Sequence, residues 1–178
     1  MQLTDAERLS LTMLAEIHEA IGIKNGINAR LVKDAIWGGN EWAIYWDVPL
    51  PWTQQAGNPA HVEHVADVFD MYSFLEAGYG ALSPQSKAAV DQATGRQGGP
   101  KFPGFDGNNE TDEYSAGKFL IDEMGRFGSY KGRAMNSHHP TVDRSNRMLA
   151  VFKPIRDSMA MRHPIVMTDQ EIIAVMTA

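Results

Sequence analysis

No cysteine occurs in the 178 residues, and that absence removes disulfides, thiolate nucleophiles and cysteine-ligated zinc or iron–sulfur centres from consideration. The apolar stretches are short as well. None approaches the roughly 18 residues that a membrane-crossing helix needs, and no basic segment leads into an apolar run at MQLTDAERLS. A cytoplasmic protein without membrane attachment is therefore expected. Also missing are a P-loop, a dinucleotide-binding glycine pattern between strand and helix, a GxSxG elbow and an HExxH pair. No segment alternates apolar and polar residues with period two, so no sheet is expected.

What remains is a chain with 43% hydrophobic and 21% charged residues, long enough to bury a sizeable core. Residues 1–178 are expected to form one domain, with 95–107 the place for any subdivision. The net charge of −6 argues against nucleic acid as a general partner, but it is unevenly distributed. Residues 1–113 hold 7 Lys+Arg against 16 Asp+Glu, whereas 114–163 hold 9 against 4. An acidic front and a basic back are complementary contact surfaces, although charge runs are ordinarily solvated helix faces. Nucleic-acid binding would fall to Lys118, Arg126, Lys131, Arg133, Arg144 and Arg147, with a steep dependence on salt.

Helix signals fill the chain, and an all-α fold of about seven to eight helices is expected. Thr4 with Glu7, and Thr168 with Glu171, form capping-box patterns that start the first and last helices. The first carries Leu9, Met13, Leu14, Ile17 and Ile21 as one apolar stripe expected to face a core, and it should stop near Gly22. Asn28 to Trp37 reads as a second helix closed by Gly38-Gly39, after which Asn40 is placed to cap a short EWAIYWD helix. Prolines 49 and 51 end it, and Asn58-Pro59 opens the next. That helix is the clearest, with Val62, Val65, Phe69, Tyr72 and Leu75 at steps of three or four. Ser83-Pro84 begins another that fades before Gly95. Asn108 or Asn109 is expected to cap a helix reaching Arg126, and Pro140 to begin one that Pro154 bends or ends.

Between these helices lies GGPKFPGFDGNNETDEYSAG, residues 98–117, a connection of a length that compact domains use for binding or for Ω-loops. Asp106, Asn108, Glu110 and Asp112 alternate as oxygen ligands would in a calcium loop, but Thr111 and Gly117 occupy the positions that need glycine and glutamate, so no metal is expected. The structural alternative has Asp106 closing an Asx-turn, Gly107 in a glycine-only conformation and Phe102 and Phe105 fastening the loop. His61, His64 and Asp67 share a helix face with metal-ligand spacing, yet exposed neutral imidazoles are the ordinary outcome. His138-His139-Pro140 precedes a helix start whose free N–H groups would suit an anion beside Arg144 and Arg147.

Trp37, Trp42, Tyr45, Trp46 and Trp52 fall within 16 residues, a density that suits either core packing or a protein interface. The ten methionines read as core filler.

Five short strings in order, FxGFDGNxE from Phe102 to Glu110, NSHxP from Asn136 to Pro140, RML at 147–149, DMY at 70–72 and the capped helices at both ends, resemble the YfbU family of bacterial proteins. The resemblance covers nearly the whole chain. It implies an all-helical, oligomeric domain without an established activity, some of whose relatives carry a DNA-binding ribbon-helix-helix segment that this chain is expected to lack. Where a tyrosine often precedes RML in the family, this chain has Ser145-Asn146.

Two functional expectations follow. The first is a non-catalytic interaction or regulatory domain acting as a homo-oligomer, a dimer before larger forms, with Trp37, Trp42, Trp46 and Trp52 as interface residues and room for a further protein partner. The second is a small-molecule or anion-binding protein, a hydrolase among the options, with Asp106, Asn108, Glu110, Asn136, His138, Arg144 and Arg147 lining a site between 102–110 and 136–147. Neither needs a cofactor.

Overall fold

The computed structural model describes residues 3–178 except 25, 49–57, 160, 162 and 164. The described residues form eight α-helices: α1 (Asp5–Ile21), α2 (Ala29–Trp37), α3 (Trp42–Asp47), α4 (Ala60–Ala81), α5 (Pro84–Thr94), α6 (Thr111–Asp122), α7 (Val142–Met159) and α8 (Asp169–Met176). A short 3-10 turn spans Gly128–Tyr130. Among these residues the only strand-like pairing is an isolated parallel bridge between Phe105 and Asn136. The protein is all-α.

Local rules account for most helix starts. Both capping boxes form, the Thr4 and Thr168 hydroxyls accepting from the N–H groups of Glu7 and Glu171 while each glutamate reaches back. Asn28 caps Leu31, and Ser83 with Pro84 opens α5. Gly22 ends α1 in the left-handed conformation.

Four expectations are corrected. Asn40 does not cap α3; its side chain instead accepts from Trp42 Nε1 and donates to the Gly38 carbonyl and the Ser115 hydroxyl. Helix α6 starts only at Thr111, and the Asn109 side chain is turned to Asp106, to which its amide nitrogen donates. Pro154 does not end α7, which continues through it to Met159. Gly107 is not in the left-handed region; Gly104 is, at φ 94°.

The chain divides into two compact units, with boundaries inside α4, inside α6 and after Arg133. Unit 1 comprises the chain up to Glu63 with Ser115–Arg133. Its buried side chains include Leu31, Ile36, Trp42, Phe119, Leu120 and Tyr130, and Trp42 packs edge-on to Phe119. Unit 2 comprises His64–Tyr114 and Ala134–Ala178. Here α4 supplies the expected apolar stripe, and Phe69 and Tyr72 meet the rings of Phe102 and Phe105 from the long connection. Those two phenylalanines do fasten the loop.

The apolar stripe of α1 is the main departure. Helix α1 packs on α2 through the small residues Thr12 and Ala15, and Leu9, Met13, Leu14, Ile17 and Ile21 remain between 52% and 68% exposed. Periodicity puts these five on one face, but the close approach of α1 and α2 needs the face that carries the small side chains. The stripe therefore points away from the chain's own core.

Candidate functional site

The long connection is held along its length by carboxylates of unit 2. Asp91 accepts from the N–H groups of Gly98 and Gly99 at 3.1 Å each and from the Tyr79 hydroxyl at 2.9 Å, and its pKa is lowered chiefly by the Gly98 bond. Glu76 accepts from Phe102 N. Further on, the chain runs beside residues 135–137: Phe105 N donates to the Met135 carbonyl at 2.9 Å, and Ser137 N to the Phe105 carbonyl at 3.0 Å.

This pairing assembles the candidate cluster. Asn136 Oδ1 accepts from Gly107 N at 3.1 Å and from His138 N at 2.9 Å, while a Cβ on Gly107 would meet the Asn136 amide at 2.8 Å. A side chain at position 107 would thus push the Asn136 amide out of its place. Asp106, almost fully buried, accepts from Asn108 N at 2.9 Å and Asn109 Nδ2 at 2.6 Å. The Asn109 side chain first, then Asn108 N, lower its pKa against the opposing effect of burial.

Glu110 is the centre of the cluster. Its buried carboxylate accepts from Thr141 N at 2.5 Å and Val142 N at 2.6 Å through Oε1, and from Asp106 N at 2.8 Å through Oε2. The Thr141 hydroxyl lies 3.0 Å from Oε2 and also 3.0 Å from the Gly104 carbonyl. Burial raises the Glu110 pKa, but the bonds from Asp106, Val142 and Thr141 outweigh it and the net shift is downward. The free N–H groups at the start of α7, which suit an anion, are thus met by a carboxylate of the same chain. Three backbone N–H groups donate to the Glu110 carboxylate, and the single Thr141 hydroxyl hydrogen is shared between Oε2 and the Gly104 carbonyl.

Of the residues expected at one site, Asp106, Asn108, Glu110, Asn136 and His138 come together. Arg144 and Arg147 do not join them. Arg144 donates to the Met176 carbonyl at 3.2 Å and Arg147 to the main-chain oxygen of Ala178 at 3.1 Å, placing both cations at the negative end of α8. His138 is exposed, with a backbone φ of 57°. Thr141 and Gly104 join the cluster without a functional signature in the sequence beyond the glycine inside FxGF.

A YfbU-domain family model matches residues 1–178. The chain belongs to the YfbU family. No curated protein matches it. The FxGFDGNxE and NSHxP strings of this YfbU domain supply the loop cluster, whose hydrogen bonds run between its own members and the start of α7.

The tryptophans of the YfbU domain are placed differently from one another. Trp42 is buried and tilted against Trp46, which lies half-buried with the Arg126 guanidinium 5.0 Å over its ring. Trp37 is 77% exposed. Trp52 lies outside the described residues. Arg133 stacks over Tyr130 in the same unit.

Among the described residues no group of three His, Asp or Glu side chains is arranged to hold a metal ion. Asp67 pairs with Lys153 at 2.6 Å, and His64 lies against the Phe105 ring with its Nε2 buried and without a hydrogen-bond partner. Burial lowers the His64 pKa from its ordinary 6.5, so folding favours the neutral imidazole. Below pH 6.5 the unfolded chain takes up this proton first, and stability falls until the lowered folded value is reached. His64→Leu is expected to flatten that part of the stability profile, read from urea midpoints between pH 7.5 and 5. An unchanged slope would assign the pH dependence elsewhere.

Proposed function

We propose that this YfbU domain is a cytoplasmic, non-catalytic interaction domain that acts as a homo-oligomer, a dimer in the simplest case. The observation that carries the reading is the outward face of α1, where five large aliphatic side chains stand half or more exposed on one helix. A helix normally turns such a stripe inward. Covering what each still exposes gains roughly half of the about 1.5–3 kcal/mol of full burial, so a partner that covers all five is favoured. Exposed Trp37 at the end of α2, and Ile23 and Ile27 in the α1–α2 connection, add apolar surface in the same unit.

The alternative, a ligand or anion site at 102–110 and 136–147, draws less support. Its two carboxylates are engaged by the chain itself, and its two arginines serve α8.

Native mass spectrometry at high micromolar concentration tests the assembly. A dimer or higher oligomer is expected, and Ile17→Glu should raise its dissociation constant by on the order of 100-fold or more, because it places a carboxylate in an apolar contact. Ile17 is exposed in the single chain, so the far-UV circular dichroism of the variant should stay unchanged. A wild-type monomer under these conditions would reject the reading.

A further inference from the structure

Resting on the homo-oligomer reading, we infer that α1 of one copy packs antiparallel on α1 of a second copy, about a two-fold axis level with residue 15. At 100° per residue the exposed large side chains Leu9, Met13, Ile17, Ile21 and Leu14 follow one another over an arc of about 140°, nearly opposite buried Thr12 and Ala15. Ala6, Ser10 and Ala20, all exposed, fill the spaces within that arc. No charged residue interrupts it.

Three features select a second copy as the occupant. The first is symmetry. An isologous contact brings each residue against the one equidistant from the axis on the other chain. About residue 15 this matches Leu9 with Ile21, Met13 with Ile17 and Ser10 with Ala20, while Leu14 at one edge of the arc falls level with Glu16 at the other.

The second feature is area. The five large side chains expose on the order of 500 Å², and with the small residues between them the face supplies most of the about 800 Å² per partner of a standard interface. Charge is the third. In the antiparallel pair each acidic first turn, with Asp5 and Glu7, lies beside the C-terminal end of the other α1, where His18 is and no carboxylate follows Glu19. Parallel pairing would instead set those first turns against each other. Glu16 stands at the edge of the arc, where solvent screens it from its symmetry mate. A lipid surface is a poorer match, because the polar side of α1 carries Asp5, Glu7, Glu16 and Glu19 against Arg8, and membrane-surface helices are basic there.

The absence of cysteine allows a clean crosslinking test. Leu9→Cys and Ile21→Cys are made separately at these exposed positions, each checked for dimer by native mass spectrometry, and treated with a short bismaleimide alone and after co-refolding as a mixture. In the antiparallel pair two Leu9→Cys sites are about 18 Å apart along the helix, as are two Ile21→Cys sites, whereas the mixed pair is level. Covalent dimer is expected in the mixture and not from either variant alone. Self-crosslinking of each variant without the mixed product would overturn the inference in favour of parallel pairing. A dimer that crosslinks in none of the three samples would overturn it while leaving the homo-oligomer reading standing. A wild-type monomer would remove both.

Discussion

Gly104→Ala is expected to destabilise the chain by about 3–5 kcal/mol, enough to leave much of it unfolded at 37 °C. A Cβ at this position would sit 2.4 Å from the Met135 carbonyl oxygen, 2.6 Å from its carbon and 3.0 Å from Ser137 N. All three are backbone atoms, fixed by the pairing of Phe105 with residues 135–137, and no side chain can rotate to relieve them. The φ of 94° adds strain that any L side chain would feel. Gly95→Ala is the control, since Gly95 has a φ of 66° but nothing within 4 Å of its missing Cβ. It should cost only about 1 kcal/mol. Chemical denaturation of both variants separates backbone strain from the collision, and equal losses would show that the approach of the two segments is not a stability determinant.

Glu110→Ala is expected to cost about 2–4 kcal/mol, because it leaves the N–H groups of Asp106, Thr141 and Val142 buried without their acceptor. Glu110→Gln keeps the shape and one acceptor, and should lose less. The pH dependence identifies the charge. With its folded pKa lowered, Glu110 contributes stability that is complete above about pH 4.5 and is lost as the pH falls through the folded value. The stability gap between wild type and Glu110→Gln should therefore be largest at neutral pH and close on acidification. A gap of the same size at pH 7 and pH 3 would mean that hydrogen-bond geometry, not the carboxylate charge, holds the start of α7.

How legible the chain was depended on the range of each interaction. The capping boxes at Thr4 and Thr168 join residues three apart, so their partners are visible in the string itself. The stripe of α4 was equally plain, because that helix is buried on its apolar side and the period alone identifies which side that is. Phe102 and Phe105 were readable as anchors in an otherwise polar stretch. Glu110 was not readable as the cap of α7, since its partners lie 31 and 32 residues further on. Asn40 misled for the opposite reason: a good local cap was available, and a buried indole N–H made the stronger claim on its side chain.

Sequence by itself determined the all-α class, most helix limits and the exclusion of thiol chemistry, because these follow from periodicity, local hydrogen bonding and composition. Tertiary structure alone decided which carboxylate meets the start of α7, where Arg144 and Arg147 go, and which way α1 faces. Periodicity says that Leu9, Met13, Leu14, Ile17 and Ile21 share a side of a helix. Whether that side is inside depends on what packs against the other one, and here Thr12 and Ala15 let α2 approach there first.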